Sequence, residues 1–287
     1  MSVDTATTIP NGNLAFGERN EDHTFAVCAY GDSPYLEECI QSLESQTRRS
    51  RIIVATHTPS PFISEIALRH GLELVVNAGP GGITQDWNFA LGAVKTRFAT
   101  VAHQDDIYEP EYARRVLDAM RAAQKPLIAF TDYGELRGGE RVLANRLLRI
   151  KRLMLLPVRP RFLASARWAR RLSLSFGDAI CCPSVTFCLD NVGTPVFRDG
   201  FRSCEDWEAW ERMSQLDGQF IYVKRPLVMH RIHPGSETTK IIGDGARKDE
   251  NLTMFLKFWP RPVALLLNRL YNSSERSNEV KPHSQGK

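Results

Sequence analysis

Apolar positions along this chain follow two alternating rhythms. Short continuous runs at Thr24–Ala29, Arg51–Ala55, Leu72–Val76, Phe98–Ala102 and Leu127–Thr131 have the length and β-branched content of buried strands. Between them, apolar residues recur every three or four positions, which predicts helices. Pro34–Gln46 carries Leu36, Cys39, Ile40 and Leu43 at helical spacing, with Ser33 ahead as N-cap. Phe62–His70 is stopped by Gly71, and a helix capped by Thr84 runs to Lys95 with Trp87, Leu91 and Val94 on one side. Pro110 suits the first turn of a helix that continues to Gln124. This alternation predicts an α/β fold with a mostly parallel central sheet covered by helices on both faces.

After Thr131 the alternation breaks. Residues 135–175 are basic and helical in flavour, punctuated by Pro157 and Pro160. Ala179–Leu189 and Phe220–Val223 read as strands, Cys204–Gln215 as a helix, and His230–His233 as a loop before Pro234-Gly235. Leu252–Leu267 is amphipathic but interrupted by Pro260 and Pro262, and the polar tail from Asn272 is expected to be loose. The reading divides the chain into a disordered lead-in at 1–22, a first half at 23–134, a second half of the same domain at 135–240, and a C-terminal helical extension and tail at 241–287. There is no internal repeat.

Composition adds little except in one place. Hydrophobic content of 43% and charged content of 24% are ordinary for a globular protein. No apolar run approaches the ~20 residues of a membrane span, and Met1–Asp22 lacks the apolar core of a secretion signal, so a cytoplasmic location is expected. The spacing of Cys28, Cys39, Cys181, Cys182, Cys188 and Cys204 matches no zinc motif, so reduced thiols are expected. The net charge of +4, however, hides an asymmetry: Arg137–Arg171 holds eleven Lys/Arg and one acid, Glu140. That block reads as a solvated basic helix packed by its leucines, with peripheral contact to an anionic membrane as the other reading. Aromatics are too sparse there for a single-strand nucleic-acid platform, and no nucleic-acid partner is expected.

Three polar clusters carry candidate chemistry: Gln104-Asp105-Asp106, Glu205-Asp206 and His230-Arg231-Ile232-His233. The first follows an apolar strand and precedes a helix, the crevice where open α/β sheets bind ligands. Two adjacent carboxylates repel unless a cation lies beside them, and a divalent metal carrying a phosphate ligand meets that need. Taken singly, each cluster also fits a helix-dipole cap or a solvated turn. Gly79-Pro-Gly-Gly82 lacks the phosphate-loop pattern and reads as a turn that lets backbone approach a ligand. Cys181-Cys182-Pro183 reads as a buried strand near an acceptor site.

In order and spacing, Leu43-x-x-Gln46-Thr47, Asp105-Asp106-x-Tyr108-x-Pro110, Glu205-Asp206-Trp207 and His230-Arg231-x-His233 together resemble a family 2 glycosyltransferase of the GT-A type, over Phe25 to about Thr239. The resemblance implies a GT-A, Rossmann-like mostly parallel sheet with a C-terminal acceptor-side extension. It implies transfer of a sugar from a nucleotide-diphosphate donor, UDP- or dTDP-linked, to a hydroxyl of a glycan or lipid-linked acceptor, with inversion, in surface glycan or glycolipid synthesis. Donor contacts fall on Ala29, Tyr30, Asp32, His57, Asn88, Gln104, Asp105 and Arg231. A divalent metal, manganese or magnesium, falls on Asp105, Asp106, His230 and His233. Asp206 is the implied catalytic base, with Glu205 beside it. Two departures stand out: Ala55-Thr56-His57-Thr58 has no acid where the family places a base-reading Asp, and His103 replaces the first Asp of the metal motif. They leave open a non-catalytic glycosyltransferase-like binding subunit. A nucleotidyltransferase is the third reading, against which the Glu-Asp-Trp and His-Arg-x-His elements argue.

Overall fold

The structure, a computed structural model, describes residues 19–235 and 246–275. The expected lead-in up to residue 18 and the tail beyond Glu275 lie outside the described residues. In chain order the larger elements are β1 (Arg19–Cys28), α1 (Leu36–Glu44), β2 (Arg49–Thr56), α2 (Pro61–Arg69), β3 (Glu73–Val76), α3 (Ile83–Ala93), β4 (Phe98–His103), β5 (Ile107–Tyr108) and α4 (Tyr112–Arg121). There follow β6 (Pro126–Arg137), β7 (Glu140–Val142), α5 (Arg146–Met154), α6 (Arg167–Leu174), β8 (Val185–Cys188), α7 (Leu189–Val192), α8 (Glu205–Ser214), β9 (Gln219–Ile232), α9 (Ala246–Leu256) and α10 (Arg261–Glu275).

The sheet order is β3-β2-β1-β4-β8-β6-β9-β5, with β7 hairpinned onto β6. Strands β3, β2, β1 and β4 are parallel, as the apolar runs require. β8 then inserts antiparallel between β4 and β6, while β6 and β9 pair in parallel. β6 crosses the expected divide at 134–135, so both halves of the chain share one sheet. One apolar layer packs Phe25, Leu36, Ile40, Val116 and Met120 on one face, and a second packs Val101, Phe187, Trp207 and Trp210 on the other. Each fully buried large side chain there contributes roughly 1.5–3 kcal/mol.

Several boundaries differ from the sequence reading. β1 begins at Arg19, so residues 19–22 are strand rather than lead-in: Arg19 and Asn20 pair with Arg49 and Ser50 beyond a bulge. The N-cap of α1 is Tyr35, because Ser33 instead forms the preceding turn, its Oγ accepting from Tyr35 N at 3.3 Å. Gly82 rather than Thr84 precedes α3, and Pro110 lies two residues ahead of α4. Gly71 does follow α2, at φ +62°. His230 and Arg231 belong to the end of β9 rather than to a loop, since the strand continues through the polar interruption Lys224-Arg225-Pro226 with register shifts against β6. Cys182–Ser184 is a single 3-10 turn ahead of the short β8, and all six cysteines are free thiols.

One sequence motif acquires a mechanical meaning. Gln46 Nε2 donates to Glu109 O at 2.9 Å and Gln46 Oε1 accepts from Ala113 N at 2.9 Å. Thr47 N donates to Pro110 O at 2.8 Å. The Gln-Thr end of α1 thus clamps the start of α4, and Ser42 Oγ accepts from Tyr108 N between them. These bonds fix the Gln104–Asp106 turn at the C-terminal edge of the sheet.

Candidate active site

The C-terminal ends of β1 and β4 open onto a cleft of about 1220 Å³. After β4, Gln104 and Asp105 form a turn closed by Asp106 N donating to His103 O at 3.2 Å. β5 then pairs with Val228–Met229 of β9, which brings the acidic turn against His230–His233. The two adjacent carboxylates diverge. Asp106 is fully buried, its Oδ1 accepting from Arg231 N at 2.8 Å and lying 3.0 Å from His230 Nδ1. Asp105 faces the cleft, with Oδ2 2.9 Å from His233 Nε2. Burial would raise its carboxyl pKa, but the His233 hydrogen bond and the charges of His103 and His230 prevail and hold it below the usual carboxylate range. For His230, burial works downward, while the charge and hydrogen bond of Asp106 prevail and raise it.

Three of the expected site residues lie outside the lining of the cleft. Asp106 does not line the cleft; its carboxylate accepts from the backbone of β9. Arg231 does not line it either: Nε donates to Asp105 O at 2.8 Å, a terminal nitrogen pairs with Glu38 at 2.5 Å, and the guanidinium stacks 4.3 Å over the Tyr35 ring. Asn88 is also outside the cleft, pinning Phe197 by two bonds, Nδ2 to Phe197 O at 2.8 Å and Phe197 N to Oδ1 at 3.0 Å. Asp105, His230 and His233 do line it, as do Glu205 and Asp206 at the start of α8.

One end of the cleft is built by the loop after β1. Gln104 bridges the backbone of Tyr30, accepting from its N and donating to its O, both at 3.0 Å, so it positions this loop rather than presenting a free amide. Ala29, Tyr30 and Asp32 line the cleft, and the Tyr30 ring lies 5.4 Å from that of His57. His57 Nδ1 lies 2.6 Å from Asp86 Oδ2. An acid of α3 thus stands beside His57, just past the end of β2. Gly81 closes this wall: a Cβ there would lie 2.4 Å from His57 Nε2. His103 stacks on Trp87 at 5.0 Å, and burial lowers its pKa toward the neutral ring.

The other end holds groups that the sequence did not single out. Asp178 lines the cleft and shares a hydrogen bond with Asp206, at the start of α8. Burial and the Asp206 charge push the Asp178 carboxyl well above the usual range, so it carries the proton of the pair. Lys151 of α5 reaches the same floor, its Nζ 5.4 Å from the Tyr133 ring centre, and Tyr271 of α10 closes the side. Burial lowers the Lys151 pKa, but Tyr133, Tyr271 and Asp178 outweigh it and keep the ammonium charged. The lone acid in Phe176-Gly177-Asp178-Ala179-Ile180 was a readable signal; Lys151, one cation among eleven, was not.

Among the described residues, no group of three or more His, Cys, Asp or Glu forms a metal cage, and no helix is long and apolar enough to cross a membrane. A model of the family described as glycosyl transferase family 2 matches residues 24–174. No curated protein matches the chain. Among solved structures, TarS residues 1–349 of S. aureus superposes with a TM-score of 0.56 at 13% identity, covering 92% of this chain and 77% of that one. A mannosyltransferase of Pyrobaculum calidifontis, in complex with GDP-Man and Mn2+, gives 0.59 at 13% identity, with 90% and 73% covered. Glucosyl-3-phosphoglycerate synthase of Mycobacterium tuberculosis, with Mn2+, UDP and phosphoglyceric acid, gives 0.53 at 15% identity, with 82% and 78% covered. At these identities the likeness is one of fold.

Proposed function

The chain belongs to glycosyl transferase family 2, and on that footing we propose that it transfers a sugar from a nucleotide-diphosphate donor to a hydroxyl acceptor with inversion and with the help of a divalent metal. The observation that carries this reading is the gathering of two polar pairs in one cleft. Asp105 and His233 meet at 2.9 Å, and Asp206 with its protonated neighbour Asp178 lines the same cleft. UDP, UDP-GlcNAc and GDP-Man complexes among the fold neighbours support a nucleotide-sugar donor.

The donor base would lie between Tyr30 and the wall of His57 and Gly81, with the diphosphate extending toward Asp105. Asp105 and His233, one carboxylate oxygen and one imidazole nitrogen, would hold a manganese or magnesium ion there. An ion held there supplies neutralisation of charge on the leaving diphosphate. Arg231 reinforces that end by fixing the Asp105 backbone. Asp206 accepts the proton of the attacking hydroxyl, while Asp178 donates a hydrogen bond that orients the base. Direct attack by the acceptor inverts the anomeric carbon, and no Ser or Cys nucleophile is needed. Burial and neighbouring acids push the Cys181 and Cys182 thiols well up, which suits a wall rather than a nucleophile. The acceptor would be a glycan or lipid-linked glycan handled at the cytoplasmic side of a membrane.

Donor turnover by Asp206→Asn tests this reading. Donor binding by thermal shift should be retained, and transfer should fall by at least about 10²-fold. Transfer at the wild-type rate would remove Asp206 from the role of base.

A further inference from the structure

Between Arg146 and Phe176 the chain runs through α5, two single-turn 3-10 helices at Leu156–Val158 and Arg161–Leu163, and α6. One side of this segment is core, through Leu148, Leu155, Val158, Ala169 and Leu174. The other side presents large apolar groups to solvent: Phe162 is 80% exposed, Leu153 64% and Trp168 60%, with Leu156, Leu172 and Phe176 also exposed. On α5, Arg146, Arg149, Ile150 and Leu153 fall at i, i+3, i+4 and i+7, so cations and apolar groups share one stripe.

The arginines divide in the same way. Arg152 is bonded to Asp132, Arg170 is buried against the Leu216 and Gly218 carbonyls, and Arg171 pairs with Glu211. Arg146, Arg149, Arg159, Arg161 and Arg167 are exposed and form no ion pair among the described residues. Unpaired guanidinium groups beside a protruding Trp and Phe are the pairing an anionic interface rewards: the rings enter the headgroup layer and the cations meet phosphates.

The same helices wall the cleft. Lys151 of α5 and Tyr271 of α10 line its acceptor end, and Tyr271 packs on Gly177, where a Cβ would meet its ring at 2.4 Å. α10 carries its own exposed stripe, Val263, Leu266 and Leu270, next to Arg261 and Arg269. We propose that the face formed by Arg146–Phe176 docks on an anionic lipid bilayer and so holds the Lys151–Tyr271 end of the cleft next to the membrane surface.

The test is flotation of the full chain with phosphatidylcholine vesicles made with and without phosphatidylglycerol. Wild type should float with the phosphatidylglycerol vesicles and remain behind with phosphatidylcholine alone. Phe162→Glu/Trp168→Glu and Arg149→Glu/Arg161→Glu should each reduce partitioning at least about tenfold with unchanged thermal unfolding. Absence of wild-type binding, equal binding to both vesicle types, or binding unaffected by either double variant would overturn the proposal. So would a dimer seen by size-exclusion without lipid and broken by Phe162→Glu/Trp168→Glu, which would make this face a self-association surface. None of these readouts depends on sugar transfer.

Discussion

His233 Nε2 stands 2.9 Å from Asp105 Oδ2 across 128 residues of chain, while the adjacent Asp106 turns inward and is fully buried. Two neighbouring acids therefore serve different ends, and substitutions should separate them. Asp105→Asn should abolish the manganese-dependent part of nucleotide binding, read as a lost thermal shift, with little change in the unfolding midpoint. Asp106→Ala leaves the Arg231 N–H without its acceptor, so it should cost about 1–3 kcal/mol in chemical denaturation. If Asp105→Asn were the less stable of the two and still bound nucleotide with metal, this division would fail.

Asp178 carries a proton beside Asp206, the proposed base, and shares a hydrogen bond with it. An amide donates a bond of similar reach, so Asp178→Asn should keep the turnover number within about tenfold of wild type. Asp178→Ala removes the donor and should lose about 10²-fold, with donor affinity little changed in both. Equal losses in the two variants would show that the charge of Asp178, not its proton, is what the site uses.

The parallel half of the fold was legible because each of its strands contains a short apolar run and each helix between them has a clear period. Legibility ended where local pattern and tertiary role parted. β9 holds Lys224-Arg225-Pro226 at its register shifts, so only Phe220–Val223 looked like strand and His230 looked like loop. The cluster of acids and histidines was readable as a motif, yet nothing in the order Asp105-Asp106 says which side chain faces the cleft. That is decided by the pairing of β5 with β9, a contact between segments more than a hundred residues apart. Asn88 was similarly placed by α3 packing on Phe197 rather than by any ligand. The role of Asp178 depends on α8 arriving beside it, which no spacing encodes.

Gly81 touches the His57 ring so closely that an added methyl would overlap it at 2.4 Å from Nε2. The His57 ring must shift to make room, which disturbs the wall proposed for the donor base. Gly81→Ala should therefore weaken nucleotide binding about tenfold while the metal requirement persists. Isothermal titration at fixed manganese would show it, and unaltered affinity would place the base elsewhere in the cleft.

His23 gives a pH dependence whose sign can be worked out. Its ring is fully buried, with Nδ1 2.8 Å from Ser50 Oγ and Nε2 2.9 Å from Thr100 Oγ1. Burial lowers its pKa from 6.5 to about 3, so the folded ring stays neutral where the unfolded chain takes up a proton. The stabilisation is complete above pH 6.5 and is lost as pH falls toward 3, at up to about 1.4 kcal/mol per pH unit. His103 is lowered by burial too and adds in the same direction, whereas the raised His230 acts oppositely, its contribution fading as pH rises above the ordinary histidine range. Between pH 6.5 and 5 most carboxylates are still ionised, so the histidines dominate the slope. Stability of the wild type should fall across that interval, and His23→Gln should remove about 2 kcal/mol of the fall. Denaturant midpoints at pH 7 and pH 5 would measure it; parallel curves for the two proteins would show that the buried ring accepts its proton without cost.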